Sequence, residues 1–355
     1  MRVLALVPYP LNRVPGQRFR LEQWAPLLRQ DGIEMDFSPF LKPAAMSVLY
    51  KPGHTVTKVS SLVRGYAMRA AEALFPGDYD VALVHRWATF FGPAWFEPWI
   101  SRRIPLVYDF DDAIYRPWSS RANAWASIFK PAGKTAAICR VARHVMVGND
   151  YLAAYARPLS ANLTVVPTTI DTQAYFPRER PPNTRPVVGW TGSVTTIPYL
   201  EAIGGALGRL ARGGNCEIRV IGGELRIPDG EVRCQPWNAQ TEIEDIRAFD
   251  IGLMPMPDDE WARGKCALKA LQYMALGIPP VVTPVGVNAE VVTDGVNGFH
   301  ARTEDEWVEK VERLASDPEL RRRLGAAARR TVEERFSAAA QAPVVARILK
   351  AVKVP

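Results

Sequence analysis

The residues best placed for chemistry lie between Trp261 and Gly277. Arg263, Lys265 and Lys269 bracket the start of an apolar run, Leu268, Leu271 and Ala275, that recurs at helical spacing and stops at Gly277. A helix beginning near Cys266 presents first-turn amides without intrahelical acceptors, and its dipole is positive at that end. Cations are disfavoured there unless an anion shares the site. Amides at Cys266, Ala267 and Leu268, with Arg263 and Lys265 beside them and Lys269 one turn on, are the groups that hold a phosphate or diphosphate. The alternative is a solvated charge run.

A second opening of this kind is the turn Gly189-Trp190-Thr191-Gly192-Ser193. Gly192 and Ser193 let backbone amides approach an anion, although such turns also occur in α/β folds without any ligand. Acidic chemistry is concentrated in Asp109-Phe110-Asp111-Asp112. Its Asp-x-Asp spacing fits a hard cation. Alternatively, Asp111 or Asp112 orients a substrate hydroxyl or takes its proton, or the triplet caps the next helix and pairs with arginines. Gly16 lets the loop 15–20 turn tightly; Arg18 and Arg20 then either reach a ligand or form a solvated face of the helix carrying Leu21 and Trp24. Trp87, Phe90, Phe91, Trp95, Phe96 and Trp99 crowd one short stretch, followed by Arg102 and Arg103. Tryptophan suits a membrane interface or sugar stacking, and equally core and interdomain packing.

The four cysteines and four histidines are scattered, without metal or redox spacing, so reduced thiols and no metal site are expected. The 355 residues are 48% hydrophobic and 23% charged, as in soluble globular chains. No apolar run reaches the ~20 residues of a membrane span. The first strand-like run is too short for a signal-peptide core and ends at Pro8, so a cytoplasmic location is expected. The net charge of +7 is unevenly divided: 20 Lys and Arg face 13 Asp and Glu in residues 1–175, but 24 face 24 in residues 176–355. A basic first half points to an anionic partner, a phosphorylated acceptor or a membrane surface, or else to solubility charge that happens to cluster. Nucleic acid is not expected, since no reader motif accompanies the basic residues.

These groups must be positioned by a repeated unit. Short apolar runs at 3–7, 81–85, 106–108, 145–147 and 163–166, then at 187–190, 218–221, 251–254, 280–283 and 298–301, most of them rich in Val and Ile, alternate with helical patterns. Runs without alternation read as parallel strands buried on both faces, hence doubly wound α/β sheets. The polar, proline-rich stretch 177–186 separates two series. The expected architecture is two Rossmann-like domains, 1–176 and 187–336, facing across a cleft, with a terminal helix in 337–355.

Residues 269–282, KALQYMALGIPPVV, resemble the helix–glycine–strand signature of retaining glycosyltransferases of the GT-B fold, specifically glycosyltransferase family 4. The stretches 283–290 (TPVGVNAE), 294–299 (DGVNGF) and 307–336, with Asp317-Pro318, continue it, as do 189–193 and 249–255 upstream. Residues 16–24 (GQRFRLEQW) and 106–113 (LVYDFDDA) resemble a bacterial branch more loosely.

The resemblance implies a metal-independent enzyme without a resident cofactor. It would take a sugar from a nucleotide-diphosphate donor on the second domain and pass it, with retention, to a glycan or lipid-linked acceptor on the first. On that assignment Gly192, Ser193, Cys266, Ala267, Leu268 and Lys269 cradle the diphosphate, and Arg263 and Lys265 stabilise leaving-group charge. Trp237 packs against the base and Gln272 bonds ribose or sugar hydroxyls. Gly16, Arg18 and Arg20 lie on the acceptor side, where Asp111 and Asp112 serve the acceptor hydroxyl rather than a metal. The terminal helix packs back toward the first domain, and the basic aromatic first domain gives a peripheral membrane contact.

The family carries two glutamates at positions occupied here by Gly264 and Gln272, neither a carboxylate. Lys265, Asp259 and Glu260 are the nearby residues that could take over part of that role. A sugar-nucleotide epimerase of the same fold and a non-catalytic sugar-nucleotide-binding partner are the alternatives.

Overall fold

The computed structural model describes residues 1–48, 51, 53–116, 133–179, 181, 183–228 and 230–353. Each expected apolar run forms a strand, and most are buried along their whole length because parallel sheets are covered on both faces. The first sheet contains β1 (Arg2–Val7), β2 (Glu34–Pro39), β3 (Val81–His85), β4 (Leu106–Phe110), β5 (His144–Val147) and β6 (Leu163–Val165). Its order is β2-β1-β3-β4-β5-β6, with every pair parallel. The second contains β7 (Val187–Thr191), β8 (Glu217–Ile221), β9 (Val232–Gln235), β10 (Ile251–Met254), β11 (Pro280–Val282) and β12 (Phe299–His300). Its order is β12-β11-β10-β7-β8-β9, again all parallel.

Both sheets therefore reverse their winding beside their first strand, between β1 and β3 and between β7 and β10. Loops leaving the carboxyl ends diverge at such a switch point and open a crevice. In the second sheet a side chain holds the gap open. Tyr273 Oη accepts from the Thr191 amide at the end of β7 (3.0 Å) and donates to the Leu253 carbonyl of β10 (3.3 Å).

Two compact units result: Met1–Thr168 with Gln341–Pro355, and Thr169–Ala340. The boundary falls ahead of the expected one at 176, and the proline-rich stretch 177–186 lies within the second unit. Its polar residues have work there: Asn183 Nδ2 donates to Asp250 Oδ2 (2.7 Å), which also accepts from the Val187 amide (2.7 Å). The helix Ala338–Val352 begins in the second unit and ends in the first, where Lys353 pairs with Asp80 (2.9 Å). The second unit's core gathers Trp190, Leu207, Leu253, Trp307 and Leu324, all buried. Its outer helices are closed by side-chain caps, a Thr303–Glu306 capping box and Asp317, each contributing about 1 kcal/mol.

Candidate functional site

The segment after β10 is built as a cap, a turn and a helix. Asp259 Oδ1 accepts from the Ala262 amide (2.7 Å) and caps the short helix Glu260–Arg263. One oxygen of its carboxylate is thereby engaged at the helix end. Gly264 follows at φ −77°, a conformation open to any residue, so backbone strain does not explain the glycine there. Ala267 does carry strain: at φ 54° it is left-handed, which costs an alanine about 1–2 kcal/mol, and it opens the helix Leu268–Ala275. In that first turn the Ala270 amide is engaged by Met254 Sδ (3.4 Å).

The expected cations stand unequally around this turn. Arg263 is exposed and pairs with Asp258 (2.8 Å). Lys265 and Lys269 are half-buried, with Nζ atoms 5.3 Å from the Trp261 ring and 5.1 Å from the Trp190 ring. Burial first, and then the neighbouring charge of Lys265, pulls the Lys269 ammonium down to about 7. An anion placed between the two lysines would offset both effects.

Gln272, on the next turn of the same helix, is buried in a polar cluster drawn from three further segments. Its Nε2 donates to Tyr175 Oη (3.2 Å) and Glu242 Oε1 (3.4 Å). Glu242 Oε2 accepts from Tyr175 Oη (3.0 Å), and Oε1 also accepts from Trp237 Nε1 (3.1 Å). Glu242 and Tyr175 were not foreseen. Glu242 reads in sequence as one of several acids opening a surface helix, and only the fold shows that it points inward.

The turn after β7 differs from its expected role. The Gly192 amide donates to Ile221 O (2.9 Å) and the Ser193 amide to Thr196 Oγ1 (3.1 Å), so both are already spent. The packing around them is tight. A Cβ on Gly192 would meet the Trp190 ring at 2.2 Å, and one on Gly222 would meet Gly192 O at 2.2 Å and Trp237 Cβ at 3.2 Å. Gly192, Gly222 and Trp237 are thus packed against one another, with no space for a side chain at either glycine.

In the first unit the acidic motif is held by arginines. Asp109 is fully buried: Arg20 Nε donates to Oδ2 (3.0 Å), Arg20 Nη2 bonds Oδ1, and His85 Nδ1 donates to Oδ2 (2.7 Å). Arg20 also donates to Val166 O (2.7 Å) and is wholly enclosed, which corrects the expectation that it reaches a ligand. Arg86 pairs with both Asp111 (2.8 Å) and Asp112 (2.5 Å). Burial works against the Asp111 anion, but Arg86, with His85 and Arg20 beyond it, lowers its carboxyl to about 2. Asp111 is therefore a firm acceptor and a weak base at neutral pH. Gly16 lies against this pair, since a Cβ there would meet Arg86 Nη2 at 2.7 Å and Asp111 Oδ2 at 3.1 Å. Arg18 is half-buried over Phe19 (5.1 Å).

Arg86 and His85 were also missed, though they stand where β3 ends beside the switch point. His85 is buried, and its Nε2 has no hydrogen-bond partner among the described residues.

The aromatic stretch divides in two. Phe90 packs edge-on against Tyr9 (5.2 Å) and Phe40 (5.5 Å), whereas Trp95 and Trp99 are exposed. Among the described residues no helix is long and apolar enough to cross a membrane.

Residues 260–331 match the family profile described as glycosyl transferases group 1, about a fifth of the chain. No curated protein sequence matches. The chain is similar in structure to a sucrose-phosphate synthase from Thermosynechococcus elongatus, with 15% identity, 99% of each chain covered and a TM-score of 0.71. It is also similar to a glycosyltransferase from Rickettsia africae, with 13% identity, 99% of this chain and 98% of that one covered, and a TM-score of 0.71. A third likeness is to Anabaena HepE, solved in complex with UDP and glucose, with 16% identity, 99% of each chain covered and a TM-score of 0.66. At these identities the likeness establishes the fold, that of GT-B glycosyltransferases.

Proposed function

We propose that the chain is a glycosyltransferase. It moves a sugar from a nucleotide-diphosphate donor, held by the second unit, to a glycan or lipid-linked acceptor, with retention of configuration. The observation that carries this reading is the segment 264–272, inside the matched profile. It combines a strained amide turn, two half-buried lysines and a glutamine whose amide nitrogen is anchored, beside the β7–β10 switch point. A diphosphate meets the amides and cations; a donor hydroxyl meets Gln272. As the glycosidic bond breaks, negative charge grows on the diphosphate, and Lys265, Lys269 and the amides from Cys266 to Leu268 stabilise it without reorganising. Arg263, at the rim, joins them by leaving Asp258.

Metal independence is part of the proposal. Its support is that Asp109, Asp111 and Asp112 are all committed to arginines. Asp111 and Asp112 then act with Arg86 as an acceptor-orienting pair. We place the enzyme in the cytoplasm, with its first unit against a membrane. The helix Thr55–Leu74 exposes Val56, Val59 and Val63, and no acid occurs between Asp36 and Glu72 while Lys42, Lys51, Lys58 and Arg64 do.

The test is to supply a panel of sugar nucleotides with glycan and polyprenyl-phosphate-linked acceptors and follow nucleoside diphosphate release. Release that needs an acceptor and persists with chelator supports the reading. Sugar-nucleotide binding without turnover across the panel contradicts transfer, and alteration of the donor alone indicates epimerisation.

A further inference from the structure

We propose that Glu242 is a positioning residue of the donor site: with the Tyr175 hydroxyl it holds the Gln272 amide so that Oε1 faces the ligand, and it supplies from another helix the negative charge that position 272 lacks. The inference rests on the donor reading above and deepens it.

The hydrogen-bond logic fixes the amide. A carboxylate only accepts, so the Gln272 group 3.4 Å from Glu242 Oε1 must be the nitrogen. Tyr175 Oη spends its single proton on Glu242 Oε2 and can only accept from Gln272. Both Gln272 amide hydrogens therefore have anionic or anion-polarised acceptors. Oε1, by contrast, has no protein donor among the described residues. An amide whose N–H groups are bound to an anion is a stronger acceptor at its oxygen.

Glu242 itself is secured by Trp237 Nε1 at 3.1 Å and lies in the first turn of the helix Glu242–Arg247, where a negative charge is favoured. It is 5% exposed and Gln272 3%, so the bonds between them are largely shielded from water. The arrangement also accounts for the glutamine. A glutamate at position 272 would set a second carboxylate against Glu242, whereas the amide makes one carboxylate serve both positions.

This geometry predicts a carboxylate exchange. Calorimetric titration of UDP, with ADP and GDP in parallel, is compared for wild type, Glu242→Gln, Gln272→Glu and the double variant, each checked for folding by circular dichroism and melting. Wild type binds one of the three. Each single variant binds it about tenfold or more weakly, the first by freeing the amide and the second by like-charge repulsion. In the double variant the amide and the carboxylate have changed places, so the hydrogen bond between them is restored with its direction reversed. Affinity then recovers to within about threefold, which a merely structural role for Glu242 would not produce.

Unchanged affinity in Glu242→Gln, or a double variant as weak as its singles, overturns the inference while leaving the donor reading intact. A wild type silent toward all three nucleotides overturns the donor reading itself, and this inference with it. If Glu242→Gln does not fold, Tyr175→Phe is read instead: a loss of about threefold is expected, and wild-type affinity overturns the proposal.

Discussion

Lys269 is the residue whose charge is most sensitive to occupancy. Alone, it titrates near 7 because burial and Lys265 disfavour its proton. On the proposed reading a bound diphosphate restores the proton, so complex formation above pH 7 is expected to take one up. Below 7 the free protein already holds it, and affinity is flat. Between 7 and 9 affinity falls, by up to about tenfold per unit. Calorimetry in buffers of different ionisation heat reads the uptake directly, and Lys269→Met abolishes it.

Arg20 makes the opposite point. Its guanidinium is buried against Asp109, so Arg20→Met leaves the buried carboxylate with His85 but without its guanidinium partner and lowers stability by about 3–5 kcal/mol in denaturant unfolding. Sequence placed Lys269 and Gln272 on one helix, Leu268–Ala275, because apolar residues at helical spacing mark the element. It could not see that Arg20 turns inward or that Glu242 meets Gln272, since both contacts join residues distant in the chain.

At the scale of elements, the loops after β7 and β8 are packed so closely that glycine is required. Gly222 sits at φ 84° with Gly192 O directly in the Cβ direction. Gly222→Ala is expected to cost more than the roughly 1–2 kcal/mol of the left-handed penalty alone, and to weaken nucleotide binding by moving Trp237. A thermal melt and a UDP titration check both.

Ten strands were legible because buried parallel strands are written as unbroken Val and Ile runs. The other two are edge strands without such a run: β2, EMDFSP, with a half-exposed face, and β9, VRCQ. The Gly192–Ser193 turn was found, but its amides were misjudged, because hydrogen bonds to β8 and to Thr196 are invisible until the strands are paired.

The whole molecule redistributes the charge that sequence halves had divided. Counted by unit, the first, with its terminal segment 341–355, has 23 Lys and Arg against 12 Asp and Glu; the second has 21 against 25. The terminal segment carries Arg347, Lys350 and Lys353 and no acid, so the first unit holds all of the excess positive charge and the second is net acidic. The basic unit is expected to make the protein co-sediment with vesicles containing phosphatidylglycerol and not with neutral ones. Replacing Val56, Val59 and Val63 by serine is expected to weaken that binding about tenfold, and added salt to weaken it further.

The donor site remains the centre of the account. Titrating UDP, ADP and GDP against the full chain and against Lys265→Ala tests it most directly. One-to-one binding of one nucleotide, weakened about tenfold or more in the variant, is the predicted result. No binding by the wild type, or binding that ignores the loss of Lys265, would contradict it.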